Sequence, residues 1–181
     1  MRTLLSVDGY SQYDRHVNPK FQPSACGPTT AYVITNYLFG KDAVNKSVDD
    51  FYRMLGGTKI GLFTWRFVRH MRRYLGPDWT VSTCSLDEAL AEIEAGRPVA
   101  LKFDKYFSCQ FKKKPLYAYH WVPLIGFDKT NELKLFIHDN GGRNRQSRVR
   151  SFYYADNASV LTFVRITPNA TAPLMNEHAS Q

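Results

Sequence analysis

The chain predicts an α+β fold in which N-terminal helices pack on a mainly antiparallel sheet. Helical periodicity and capping signals crowd into the segments before residue 97. After Pro98 the character changes to β-branched and aromatic runs at Val99 to Phe103, Tyr119 to Phe127, Leu133 to Asp139 and Ala158 to Ile166. No helical segment separates these late strands, as parallel pairing would require, so neighbours are expected to run antiparallel.

The first helix is read from Ala31, Ile34 and Leu38, which recur at i, i+3 and i+7 up to Phe39. Cys26, in the run Ser24-Ala25-Cys26-Gly27-Pro28-Thr29-Thr30, then falls at or just before the first turn. Pro28 suits that turn, because it removes an N–H that has no intrahelical partner. Gly27 and the small Ala25 are expected to leave room for a substrate near the sulfur. A second helix spans Ser47 to Leu55, with Val48, Phe51 and Leu55 as its stripe and Gly56-Gly57 as its stop. The third, Leu62 to Leu75, ends at Gly76-Pro77 and carries Phe63, Phe67 and Tyr74 opposite a basic face. Ser85-Leu86-Asp87-Glu88 is a capping box, and Gly96 then Pro98 close the helix that it starts. Residues 104 to 118 and 141 to 150 read as polar, basic connections.

At 181 residues, with 44% hydrophobic and 14% aromatic content, the chain fits one well-buried core. It is read as a single domain over residues 1–166 followed by a loose tail, 167–181. No run of 18 apolar residues signals a membrane span, and no basic-then-apolar segment signals secretion. The three cysteines cannot all pair, which fits a reducing compartment such as the cytosol, or export without a recognisable signal peptide. The net charge of +8 attracts acidic partners. Its basic clusters, Arg66 to Arg73, Lys112 to Lys114 and Arg143 to Arg150, read as solvated faces and loops and carry no nucleic-acid motif, so no specific nucleic-acid binding is expected.

Cys26 has the placement of a nucleophile. Helix-start N–H groups carry roughly half a positive charge, which favours thiolate over thiol. A cysteine nucleophile needs a base, and the base needs an orienting partner. A hairpin folded about Asp128-Lys129-Thr130-Asn131 places His120 directly opposite Asp139, where Cβ atoms are about 4.5 to 5.5 Å apart. Asp139 would then fix the imidazole tautomer while His120 holds Cys26 as thiolate; Asn140 is the alternative orienter. A register shift of one residue would put His138 or Asn140 opposite His120 instead. Cys84 is expected in the core and Cys109 at the surface. The cysteines and histidines lack paired C-x-x-C or H-x-x-x-H spacing, so neither metal nor cofactor is expected.

The blocks Ser11-Gln12-Tyr13-Asp14, Cys26-Gly27-Pro28-Thr29-Thr30, His120-Trp121-Val122-Pro123-Leu124-Ile125-Gly126-Phe127-Asp128 and Ile137-His138-Asp139 resemble the papain-fold cysteine peptidases related to bacteriocin-processing, double-glycine peptidases. The resemblance spans residues 7 to 140. It implies a papain-like fold and a cysteine peptidase or related amide hydrolase acting on a peptide or protein through a thioester acyl-enzyme. Cys26 would be the nucleophile, His120 the base and acid, and Asp139 the orienting residue. A glutamine ahead of the cysteine would donate to the oxyanion: Gln12 matches the family's Ser-Gln run, and Gln22 is the alternative, four residues before Cys26. The common proline after the aspartate is replaced by Asn140. Transporter-linked members carry membrane and nucleotide-binding domains that these residues do not contain, so their double-glycine substrate is not carried over. Two other readings use the same residues. A papain-fold acyltransferase would pass the acyl group to an amine or thiol, and a non-catalytic module would bind an anionic polymer. Lysines 112–114 and arginines 143–150, if they flank the cleft, would suit an acidic peptide.

Overall fold

The computed structural model describes residues 1–106, 109 and 114–169. Short strand β1 (Arg2–Leu4) leads through a loop and a single 3-10 turn (Gln22–Ser24) into α1 (Cys26–Phe39). Then come α2 (Lys41–Val44), α3 (Val48–Leu55), α4 (Thr64–Leu75), β2 (Trp79–Cys84) and α5 (Leu86–Glu94). The late half is β3 (Val99–Asp104), β4 (Tyr119–Asp128), β5 (Lys134–Asp139), β6 (Arg148–Tyr153), α6 (Tyr154–Asn157) and β7 (Leu161–Pro168). All pairings are antiparallel in the order β2-β7-β3-β4-β5-β6, with β1 added to the second half of β4. The α+β class and the papain-like, mainly antiparallel architecture hold.

Local chemistry accounts for the helix ends. α3 begins on a full capping box in which Ser47 and Asp50 exchange side-chain and backbone bonds, and α5 on its counterpart, Ser85 with Glu88. Gly56 closes α3 at φ +70, the left-handed conformation that glycine reaches without strain.

The sheet is covered on both faces, since its strands alternate. Ala100, Trp121 and Val164 join Ala31, Ile34, Phe51, Leu55 and Phe67 of the helical layer on one face. Their neighbours Leu101, Val122 and Phe163 pack with Ala89, Leu90 and Ile93 of α5 on the other. The helix that follows β2 is therefore not part of the N-terminal layer but covers the opposite side.

Four boundaries differ from the sequence reading. Arg2–Leu4 forms an edge strand too short to be read from its pattern. β6 begins inside the segment read as a basic connection, and its alternation is masked because arginines occupy it. The strand expected from Ala158 starts at Leu161, after α6 and a 3-10 turn; buried Asn157 holds this turn by accepting from the Leu116 N–H at 2.8 Å. β7 runs to Pro168, where Thr167 pairs with Thr80, so two residues assigned to the tail are strand; residues 170–181 lie outside the described part. Among the described residues no helix is long and apolar enough to cross a membrane.

Candidate active site

Cys26 is the first residue of α1. Unlike α3 and α5, this helix has no side-chain cap, because Ala25 occupies the cap position. Pro28 lacks an N–H, so the N–H groups of Cys26 and Gly27 stand at the positive helix end without an intrahelical partner. The uncapped end coincides with the thiol. Cys26 is 4% exposed.

Gly27 behaves differently from the expectation. A Cβ at this position would lie 2.8 Å from Leu62 Cδ2, 2.9 Å from Leu62 Cβ and 3.3 Å from Trp121 Cδ1. The missing side chain makes room for Leu62 and Trp121, not for a substrate. Leu62 is in turn held by its backbone. Tyr119 Oη accepts from the Leu62 N–H at 2.8 Å and donates to its carbonyl at 2.9 Å, and Trp121 Nε1 donates to the same carbonyl at 3.0 Å. One wall beside the cysteine is thereby fixed by two aromatic side chains of β4.

His120 and Asp139 meet, though not as directly opposed residues. Asp128 pairs with Lys134 and Gly126 with Phe136; the register then shifts, so that Leu124 pairs with Ile137. Continuing that pairing sets Asp139 across from Val122, diagonal to His120. The irregularity has a definite consequence. Without the extra residue near Ile125, Asp139 would face Pro123 and point to the other side of the sheet; the bulge restores the parity that places it on the side of His120. His120 Nε2 lies 3.3 Å from Asp139 Oδ1. That leaves the ring's other nitrogen free of Asp139, and Cys26 is among the groups that favour the charged ring.

The electrostatics favour an imidazolium. Burial opposes charge on His120, but hydrogen bonds to Asp139 and to Cys26 outweigh it, and its pKa rises to about 9. Asp139 has no exposed surface. Burial would raise its pKa, yet hydrogen bonds from His120 and Arg145 hold the carboxyl well below the usual range. Its second oxygen, Oδ2, receives Arg145 Nη1 and lies 3.5 Å from Arg150 Nη1. Burial and the charge of this carboxylate raise the Tyr117 pKa, and the Tyr117 oxygen accepts from Arg150 Nη1 at 2.8 Å. Arg145 and Arg150, read from sequence as part of an exposed basic cluster, are thus the counter-ions of Asp139.

Asn140, the alternative orienter, makes no hydrogen bond to His120 among the described residues. Its buried Nδ2 lies 3.0 Å from the Cys26 carbonyl, 3.0 Å from Thr30 Oγ1 and 2.8 Å from the Trp121 carbonyl. It staples the start of α1 to β4. The Asn140 carbonyl accepts the Gln12 N–H at 2.9 Å, which brings the 11–14 turn to the same place. Buried Gln12 donates one amide hydrogen to the Gln22 carbonyl at 2.7 Å and retains another. Gln22 donates to the carbonyls of Val17 and Asp14 at 3.1 and 3.2 Å. Its amide closes the 14–22 loop.

Of the other thiols, Cys84 is half-buried against the core and burial pushes its pKa up to about 11. Cys109 is exposed. Lys112 and Lys113 lie outside the described residues. Sequence reasoning missed Tyr117, Arg145, Arg150 and the stapling role of Asn140. The alternation of Arg148, Arg150 and Phe152 against Val149, Ser151 and Tyr153 was the available signal for the arginines.

A cysteine opening a helix that packs on an antiparallel sheet, beside a strand histidine, defines the papain-like cysteine peptidase fold. Within that class the chain belongs to the Peptidase_C39 like family, whose profile matches residues 4–162. The chain is similar in structure to the peptidase domain of Streptococcus ComA, described as a bi-functional ABC transporter involved in a quorum sensing pathway. The TM-score is 0.55 at 13% identity, over 92% of this chain and 98% of that one. It is also similar to a C39-like peptidase from Bacillus anthracis, with a TM-score of 0.54 at 14% identity, over 91% and 98%. No curated protein matches the sequence at a significant level.

Proposed function

We propose that the chain is a cysteine peptidase in which Cys26, His120 and Asp139 act together and Gln12 completes the oxyanion site. The observation that carries this reading is the contact of His120 with buried Asp139, in surroundings, Cys26 among them, that favour imidazolium up to about pH 9. An imidazolium beside a thiol at a helix start stabilises the thiolate, which is the reactive form.

The thiolate attacks the peptide carbonyl carbon, and the carbonyl oxygen takes up the electron pair. The Cys26 N–H and the second Gln12 amide hydrogen are the donors for this oxyanion, while the Gln22 amide is engaged in its loop. His120 gives its proton to the leaving amine as the C–N bond breaks, which leaves a thioester on Cys26. Water, deprotonated by the now neutral His120, attacks the thioester and restores the thiolate–imidazolium pair. Asp139, fixed by Arg145 and Arg150, keeps the imidazole oriented throughout.

The test is a peptide library incubated with the wild type and with Cys26→Ala, read by mass spectrometry. The reading requires cleavage that is lost in the variant and an acyl adduct trapped on Cys26. Cleavage surviving in Cys26→Ala would overturn it.

A further inference from the structure

Near the site lie two arginines, Arg15 and Arg143, that make no ion pair or hydrogen bond among the described residues. The loop carrying Arg145 is closed by paired backbone bonds between Gly142 and Arg145, at 2.9 and 3.0 Å. Facing it is the turn after Ser11, where the Asp14 N–H donates to the Ser11 carbonyl at 3.0 Å and the Tyr13 N–H to Ser11 Oγ at 3.2 Å. Between them is a cavity of about 280 Å³ whose lining includes Ser11, Asp14, Arg15, Arg143 and Arg145. Ser11 precedes Gln12 in the chain, and Arg145 pairs with Asp139, so the cavity is lined by neighbours of two of the site residues.

The charges in this lining are unequal in availability. Arg145 is neutralised by Asp139. Asp14, the one carboxylate among the lining residues, accepts from the His16 N–H at 2.9 Å and lies 2.8 Å from its ring nitrogen. Arg15 and Arg143 make no ion pair or hydrogen bond among the described residues, and both are exposed. Two guanidinium groups therefore face one cavity with free donors, in a chain of net charge +8.

We propose that this cavity takes a carboxylate of the substrate on the leaving-group side of the cut bond, recognised by Arg15 and Arg143. The proposal rests on the peptidase reading. His120 must protonate the leaving amine, so that segment departs past the imidazole, and the succession His120, Asp139, Arg145 leads from the sulfur to the cavity. The wall built by Leu62 and Tyr119 stands against Gly27 instead. A guanidinium pairs with a carboxylate through two parallel hydrogen bonds, a match that a neutral amide of the same shape cannot make.

The test uses internally quenched peptides that differ only in Glu or Gln at each of the first four positions after the cut bond, each made with a free or an amidated C-terminus. An exposed ion pair supports a preference of about fivefold in kcat/KM. The Glu-to-Gln ratio should reach that value at one position, fall toward one in Arg15→Gln and in Arg143→Gln, and shrink in high salt. A preference that follows the free terminus instead assigns the carboxylate to the end of the chain. A ratio of one at every position and terminus, or a preference that survives both substitutions, overturns the proposal. Peptides cut by the wild type but not by Cys26→Ala, with no charge preference, would remove this inference and leave the peptidase reading. No cleavage of any peptide, or cleavage that persists in Cys26→Ala, would remove both.

Discussion

Replacing Asp139 with asparagine keeps the shape of the side chain and one acceptor oxygen but removes the charge that faces His120, Arg145 and Arg150. In the wild type the His120 pKa rises from 6.5 to about 9. A shift of that size is worth about 3 kcal/mol between the two protonation states. Loss of an adjacent opposite charge moves a pKa by about 1 to 3 units, and the hydrogen bond to Cys26 remains, so the midpoint should fall by about 1 to 2 units. The arginines left without a counter-ion push in the same direction. Because the folded state favours the imidazolium, its contribution to stability is full below about pH 6.5 and is lost as pH rises through about 9. In Asp139→Asn that loss is complete nearer neutrality.

The assay is an NMR titration of the His120 Cε1–H, assigned by its absence in His120→Gln, alongside the alkaline limb of the kcat/KM profile. Both should move down together. The same substitution also costs stability, because it leaves Arg145 and Arg150, 37% and 30% exposed, beside an uncharged group. Breaking a fully buried pair costs about 3 to 5 kcal/mol, and the partial exposure reduces this to about 2, or about 4 to 8 °C in Tm. A wild-type midpoint near 6.5, or one that does not move in Asp139→Asn, would refute the reasoning.

Asn140→Ala should lower Tm by about 6 to 12 °C, from a cost of about 3 kcal/mol for the lost staple between the start of α1 and the Trp121 carbonyl of β4 and the space left in a buried site; a variant that melts normally but turns over slowly would make Asn140 an orienter after all. Gln12→Ala should reduce kcat by about 100- to 1000-fold with substrate binding little changed. Gln22→Ala should act mainly on stability, through the 14–22 loop, and the reverse pattern would exchange their roles. Gly27→Ala forces a Cβ against Leu62 and should cost about 1 to 3 kcal/mol in chemical denaturation. An unchanged denaturation midpoint would show that this wall yields.

The sequence pattern is informative where one residue type answers one local need. The capping boxes at Ser47 and Ser85 locate two helix starts, and Cys26 opens a helix as its neighbours predict. The meeting of His120 with Asp139 was anticipated for a reason that is only half right. Turn position alone predicts a regular hairpin, whereas the observed contact depends on a bulge between Leu124 and Gly126, for which Pro123 and Gly126 inside the strand were the available signal. The arginines were misread because charge in sequence is taken for exposure, and only the fold discloses a buried carboxylate within reach. Asn140 follows the same rule. Its three acceptors come from segments up to 114 residues away, and no local pattern encodes them.

The central claim is that His120 activates Cys26 as a nucleophile, and iodoacetamide labelling near pH 6 addresses it most directly, with each cysteine quantified by peptide mass mapping. Exposed Cys109 serves as the accessible reference, and Cys84, its pKa pushed up to about 11 by burial, should barely react. The account predicts that Cys26 is modified at least about tenfold faster than either, despite its burial, and loses this advantage in His120→Ala. Labelling of Cys26 no faster than that of Cys109, or a fast rate that survives His120→Ala, would contradict it.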